Sequence, residues 1–354
     1  MRIGIPGEIK TLEGRVALIP AAAGELVALG HEVFIEAGAG LPSGYPDTEY
    51  KAAGVEILAD AASLYGESKM ILKVKEPVKS EYELLRSDHL LFSFLHLAAE
   101  KRLAAVLCDI GLTSVGFETV EEHGRLPLLA PMSDIAGRLS IHIGTTLLHQ
   151  HNGGRGILLG GLPAGKRGHV VVLGAGAAGG NAATVAAALG ARVTVFARSR
   201  ESLARMHAIG PNITALPSYS SLLEEAIGSA DLLVGAALVT GATAPALVSE
   251  AMVKTMKPGA VIVDIAVDQG GCVATTKPTT YANPTFMQYD VVHFGVTNMP
   301  GAVPRTASQA LSASLTPYVA RLASDQGLTD PALAVGINTR DGELVHPSVI
   351  KALA

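Results

Sequence analysis

There is no tryptophan in these 354 residues, and aromatics supply only 4% of a chain that is 49% hydrophobic. The apolar material is therefore aliphatic: Ala, Val, Gly and Leu. That bias excludes disorder and suits parallel α/β architecture, whose buried strands read as continuous aliphatic runs. Cysteine is almost absent. Cys108 and Cys272 have no metal-ligand spacing, which excludes a disulfide scaffold and predicts two buried, unpaired thiols in a reducing cytoplasm. Basic tracts are missing too. With a net charge of −5 and pI about 6.1, nucleic acid is not an expected partner. Met1-Arg-Ile-Gly-Ile5 enters a strand at once, leaving no room for a signal peptide. The longest uncharged stretch, Leu232 to Val248, contains Gly, Thr and Pro and reads as strand plus loop, not a membrane span.

At 354 residues the chain exceeds one ordinary domain. Two βα series are visible. The first opens at Arg2-Ile-Gly-Ile-Pro6 and passes through a helix at Ala21–Leu29, closed by Gly30. Strands are expected at Glu32–Glu36, Met70–Lys75, His89–Phe94 and Thr113–Glu118, with helical patterns at Glu81–Arg86 and Glu100–Cys108. The second series has strands at 170–173, 193–197, 232–235, 260–264 and 291–295. Alternation of this kind indicates parallel sheets with helical crossovers. Long helices are expected from Ser133 to Gly153 and from Ser308 to Ser324. They would carry the chain out of the first domain and back. The fold class is α/β, with two Rossmann-like doubly wound parallel-sheet domains. Residues 1–130 and 303–354 would form the substrate-binding domain and 131–302 the dinucleotide-binding domain, with ligand in a cleft between them.

The segment Val170-Val-Val-Leu-Gly-Ala-Gly-Ala-Ala-Gly179 is the most specific local motif. Strand, glycine turn and alanine-rich helix (Asn181–Leu189) follow one another as in a dinucleotide-binding βαβ unit. Gly174 would permit the tight turn, Gly176 the approach of a pyrophosphate, and Gly179 close packing of helix on strand. The helix N-terminus would face the phosphates. About 20 residues further on, enzymes that prefer NAD place an acid to bind the ribose hydroxyls. Here that position holds Ala197, followed by Arg198, Ser199 and Arg200. A small residue followed by arginines suits a ribose 2′-phosphate, because guanidinium forks match phosphate oxygens. NADP(H) is therefore the favoured cofactor and NAD(H) the alternative; the arginines could also be solvated surface charges.

Several polar residues stand at expected strand ends of the first domain. Arg15 lies in a loop before a helix, Lys75 and Glu118 end strands, and His96 follows one. A cation at the end of a buried strand is costly unless paired, so their recurrence points to an anionic substrate. In the second domain Asp264 and Asp268 flank another strand end. Asp268 could reach the cleft, or simply cap a turn.

Arg2-Ile-Gly-Ile-Pro6, Arg15-Val-Ala-Leu18, Leu72-Lys-Val-Lys-Glu-Pro77, Phe94-Leu-His-Leu97, Pro127-Leu-Leu-Ala-Pro-Met-Ser133, Val263-Asp-Ile-Ala-Val-Asp-Gln-Gly-Gly271, Pro278-Thr-Thr-Tyr281 and Asn298-Met-Pro300 together resemble the L-alanine dehydrogenase family. The likeness spans nearly the whole chain in the same order. It implies reversible oxidative deamination of L-alanine to pyruvate and ammonia, without a metal. Arg15 and Lys75 would hold the substrate carboxylate, with Lys75 also catalytic. His96 and Asp268 would be the proton-handling residues, Asp268 also lying near the nicotinamide. Glu118 and Asn298 would line the substrate site. Ser133 and Met299 would lie near the cofactor, and Gly174, Gly176 and Gly179 at its pyrophosphate. A homohexamer is implied as well. Ala197 departs from NAD-using members, which have Asp there. The related transhydrogenase nucleotide-binding subunit shares the Arg-Val-Ala-Leu feature and the fold, and an opine-type dehydrogenase on a larger 2-oxo acid is a further alternative.

Overall fold

Short aliphatic runs bracketed by glycine, proline and charged residues become buried strands, and the intervening segments cross over as helices. The computed structural model describes residues 1–237, 247–267, 270–325 and 327–354. The chain forms two compact units, Met1–Met132 with Gly301–Ala354, and Ser133–Pro300.

In the first unit the parallel strands are β1 (Arg2–Ile5), β2 (Glu32–Glu36), β3 (Glu56–Leu58), β4 (Met70–Leu72), β5 (Leu90–Ser93) and β6 (Thr113–Gly116). Their order is β3-β2-β1-β4-β5-β6. The chain therefore changes direction across the sheet between β1 and β4, and a crevice at such a switch point is where open α/β sheets bind ligand. An antiparallel hairpin, Ile337–Arg340 and Glu343–Leu344, extends the sheet beyond β6. Its turn residues Asp341 and Gly342 both have positive φ, 52° and 83°, as a type I′ turn requires.

Helix Pro304–Leu322 positions the loop that carries Arg15. Ser308 Oγ accepts from the amide of Val16 at 2.9 Å, and Ser312 Oγ accepts from that of Ile19 at 2.9 Å. Ser312 also donates to the carbonyl of Ala17 at 3.1 Å. Both serines are fully buried, so they satisfy backbone groups that water cannot reach.

In the second unit the strands are β7 (His169–Leu173), β8 (Arg192–Ala197), β9 (Ile213–Pro217), β10 (Leu232–Gly235), β11 (Val261–Asp264), β12 (Thr285–Gln288) and β13 (Val291–Phe294). The order is β9-β8-β7-β10-β11-β13-β12, with the switch point between β7 and β10. All pairs are parallel except β12 with β13. Valines and alanines from β7, β8 and β10, with Ala182, Ala183 and Ala186 of the following helix, build the core on one face.

Each doubly wound sheet thus ends in an antiparallel edge that the aliphatic runs did not announce. The long helix expected to reach Gly153 is Ala130–Leu147. Just past its end the chain turns back on itself, with Gly156 donating to Leu148 O at 2.8 Å and Gly154 to His149 O at 3.2 Å. The segment expected as helix Glu81–Arg86 is a tighter 3-10 turn, Lys79–Leu84. Cys272 is buried but Cys108 is half-exposed. No described helix is long and apolar enough to cross a membrane.

Candidate active site

Three neighbouring strand ends of the first unit present Lys75, His96 and Glu118. The ladder continues one residue past β4 and β5, with Lys73 N donating to Phe92 O and Phe94 N to Val74 O, each at 3.2 Å. This register sets Lys75 and His96 on adjacent segments. β6 ends at Gly116 rather than at Glu118, which lies in the 3-10 turn Phe117–Thr119.

From that turn Glu118 reaches back. Its carboxylate accepts from the amide of His96 at 2.6 Å and from that of Leu95 at 3.2 Å. His96 needs this support, since its φ is 49°, a left-handed conformation that costs a non-glycine residue on the order of 1–3 kcal/mol. The imidazole stacks on Phe94, centroids 5.9 Å apart. Glu118 therefore spends its carboxylate holding the histidine loop.

The two lysines of Leu72-Lys-Val-Lys75 have different fates. Lys73 is buried, with Nζ 2.6 Å from Glu81 and 3.7 Å from Glu8. Tyr65 donates to the same Glu81 oxygen at 2.9 Å. Burial opposes the Lys73 charge, but Glu8 and Glu81 outweigh it and raise its pKa. Lys75 is half-buried and makes no ion pair among the described residues. Burial, reinforced by the Arg15 cation, holds its ammonium below the ordinary lysine range.

Glu8 anchors the turn between the lysines. It accepts from Val74 N at 2.6 Å and Lys75 N at 3.3 Å. Burial pushes the Glu8 carboxyl up to about 7, with Lys73 pulling the other way.

Arg15 is 3% exposed, and its Nε and Nη2 meet Glu13 at 2.7 and 2.5 Å. Nη1 points to Met132 Sδ at 3.1 Å. Arg15 also lines a cavity of about 140 Å³ with Gly7, Glu8, Glu13, Ala37 and Pro42. Lys75 and His96 are not among its lining residues. Arg15 and Lys73 each have a carboxylate partner, Glu13 and Glu81, whereas Lys75 has no ion pair among the described residues. The partners Glu8, Glu13 and Glu81 were missed in the sequence. For Glu8 and Glu81 the signal was a lysine at the end of an aliphatic run, which demands acids nearby; Glu13 pairs instead with Arg15 two residues on.

In the second unit the three glycines of the motif do distinct things. Gly174 has φ 101°, and a Cβ there would stand 2.6 Å from Ala236 O. A Cβ on Gly179 would stand 2.0 Å from Gly174 O, whereas one on Gly176 would meet open space. Gly176 is also the N-cap of helix Ala177–Ala188, and no side chain caps it. Free amides at a helix start, with open space before them, fit a dinucleotide's phosphates.

Ala197 closes β8 and is buried, while Arg198, Ser199 and Arg200 are exposed. Ser199 caps helix Arg200–His207, its Oγ accepting from Ser202 N at 3.1 Å. Ser133 is half-buried in the first turn of helix Ala130–Leu147. Asn298 is half-buried, and Met299 is buried with its carbonyl accepting from Tyr281 OH at 2.9 Å. Asp264 is fully buried and accepts from the amides of Ala266, Cys272 and Val273 at 3.1, 2.8 and 3.2 Å. Burial, against those amides, pushes it up to about 6. It therefore ties residues 266, 272 and 273 to the end of β11; Asp268 lies outside the described residues.

Comparison with known proteins divides the chain near residue 136, close to the first boundary between the two units. Residues 4–136 match the description Alanine dehydrogenase/PNT, N-terminal domain, and residues 140–347 match Alanine dehydrogenase/PNT, C-terminal domain. The chain is 50% identical to the alanine dehydrogenase of Mycolicibacterium smegmatis over 360 residues, 100% of this chain and 97% of that protein. A solved L-alanine dehydrogenase superposes with a TM-score of 0.96 at 48% identity, covering 100% of both chains. The solved transhydrogenase from Sinorhizobium meliloti gives 0.85 at 26% identity, covering 98% of this chain and 100% of that one.

Proposed function

The chain belongs to the alanine dehydrogenase/PNT family, and from that membership we propose that it is an L-alanine dehydrogenase that prefers NADP(H). The observation that supports the catalytic reading is the strand register that puts Lys75 and His96 on adjacent segments. A protein that only passed hydride between dinucleotides would have no use for a lysine and a histidine serving an amino acid.

Each residue has a step that its chemistry fits. Arg15 and Lys75 hold the substrate carboxylate, fixing Cα for transfer in a near-attack geometry. The loop 174–179 and the start of helix Ala177–Ala188 would hold a nicotinamide dinucleotide, which would supply reversible hydride exchange with Cα of L-alanine. Loss of hydride and a proton leaves a 2-imino acid. Water adds to it, ammonia departs from the carbinolamine, and pyruvate remains. His96 moves the protons of these steps, since an imidazole ring nitrogen can both donate and accept a proton. The Lys75 ammonium stabilises the negative charge that develops on the substrate oxygen. Glu118 and Glu8 act through the backbone, as positioning residues for His96 and Lys75. Asp268 is proposed as the second proton-handling group, and Asn298, Ser133 and Met299 as lining for substrate and cofactor.

The preference for NADP(H) rests on Ala197. A methyl group there leaves room for a 2′-phosphate and presents no repelling carboxylate, while Arg198 and Arg200 supply cations. Matched assays of pyruvate and ammonium with NADPH and with NADH test this reading. A higher kcat/KM with NADPH is expected. A higher value with NADH would remove the cofactor proposal, and no oxidation of either would remove the enzyme proposal.

A further inference from the structure

Helix Arg200–His207 carries a third arginine that the β8 end does not account for. Arg205 reaches from this helix to the glycine loop, donating from Nη2 to the carbonyl of Ala175. That residue lies between Gly174 and Gly176. The amide of Gly174 in turn donates to Phe196 O at 2.8 Å, which sets the glycine loop against the residue preceding Ala197. The Arg205 guanidinium thus stands beside the phosphate loop and close to the ribose end of β8.

Arg198, Arg200 and Arg205 are all exposed, and no ion pair joins any of them to a carboxylate among the described residues. Glu201 is the only acid from Ala197 to Arg205. A guanidinium has five N–H donors, so one bond to a carbonyl leaves most of the fork free.

We propose that Arg205 is a specificity-determining residue that closes a 2′-phosphate site from the glycine-loop side, opposite Arg198 and Arg200. The proposal rests on the NADP(H) reading above and adds to it a residue that motif position would not select. An arginine already tethered to the loop loses little freedom on meeting a phosphate. A ribose hydroxyl offers it no charge, so its contribution is selective.

Calorimetry on the full-length protein with two probes tests this. Adenosine 2′,5′-bisphosphate and adenosine 5′-monophosphate differ only in the 2′-phosphate. The unmodified protein is expected to favour the bisphosphate. Arg205→Gln should cut that preference about tenfold while leaving monophosphate affinity within about twofold. Arg205→Lys, which keeps the charge and loses the fork, should fall between. If Arg205→Gln keeps the full preference, or weakens both probes equally as a simple loop tether would, the proposal is overturned. If the unmodified protein binds both probes equally, the NADP(H) reading itself fails, and this proposal with it.

Discussion

Lys75→Ala is expected to lower kcat about a thousandfold, a loss of roughly 4 kcal/mol of transition-state stabilisation, while leaving the fold intact. The argument comes from the contrast with Lys73. Lys73 is 1% exposed and sits between two carboxylates, so its removal would strand buried charge and destabilise the protein by about 3–5 kcal/mol. Lys75 has no ion-pair partner among the described residues, and burial already holds its ammonium below the usual range. Removing that cation relieves a desolvation cost, so Tm should stay level or rise. The lowered pKa adds a second signature. Activity that needs the ammonium should be lost on the alkaline side below the ordinary lysine value of about 10.4. Steady-state kinetics with thermal melts checks both points. A variant retaining more than about a tenth of wild-type turnover, a loss below roughly 1.4 kcal/mol, would take Lys75 out of catalysis.

His96→Ala is expected to lower kcat by about 10²–10⁴-fold, the usual contribution of a positioned acid/base group. The backbone there need not change. The amides of Leu95 and residue 96 would still bond Glu118, and alanine at φ 49° suffers much the same strain as the residue it replaces. The loss should therefore fall on kcat more than on stability. Added imidazole should restore part of the activity if proton transfer is what was lost. Wild-type turnover, or a defect indifferent to imidazole and matched by a lowered Tm, would assign His96 a structural role.

Much of the cofactor unit was legible in the sequence, because its signals are local. Val170–Leu173 is a continuous aliphatic run, and Gly174, Gly176 and Gly179 stand at the spacing that the turn, open approach and close packing require. The weaker strands were not legible. Glu56–Leu58 and Ile213–Pro217 lie at sheet edges and are largely half-buried, so neither shows a clean apolar run. The C-terminal hairpin had one readable sign, the Asp341-Gly342 pair, which type I′ turns favour.

Roles set by distant partners could not be read at all. Nothing near Glu118 indicates that it binds amides at Leu95 and His96, and nothing in Lys-Val-Lys says which lysine is locked by acids. Those facts depend on which strands become neighbours. Nor does the sequence show that three backbone amides, of Ala266, Cys272 and Val273, converge on Asp264.

Hydride transfer to an amino-acid carbon is the central claim, and isotope tracing tests it most directly. The protein is supplied with pyruvate, ammonium and NADPH deuterated at the transferable C4 position, and the products are resolved by mass spectrometry and chirality. L-Alanine carrying one deuterium at Cα is the predicted result. Deuterated lactate, unlabelled alanine, or label appearing only in a second dinucleotide would contradict it.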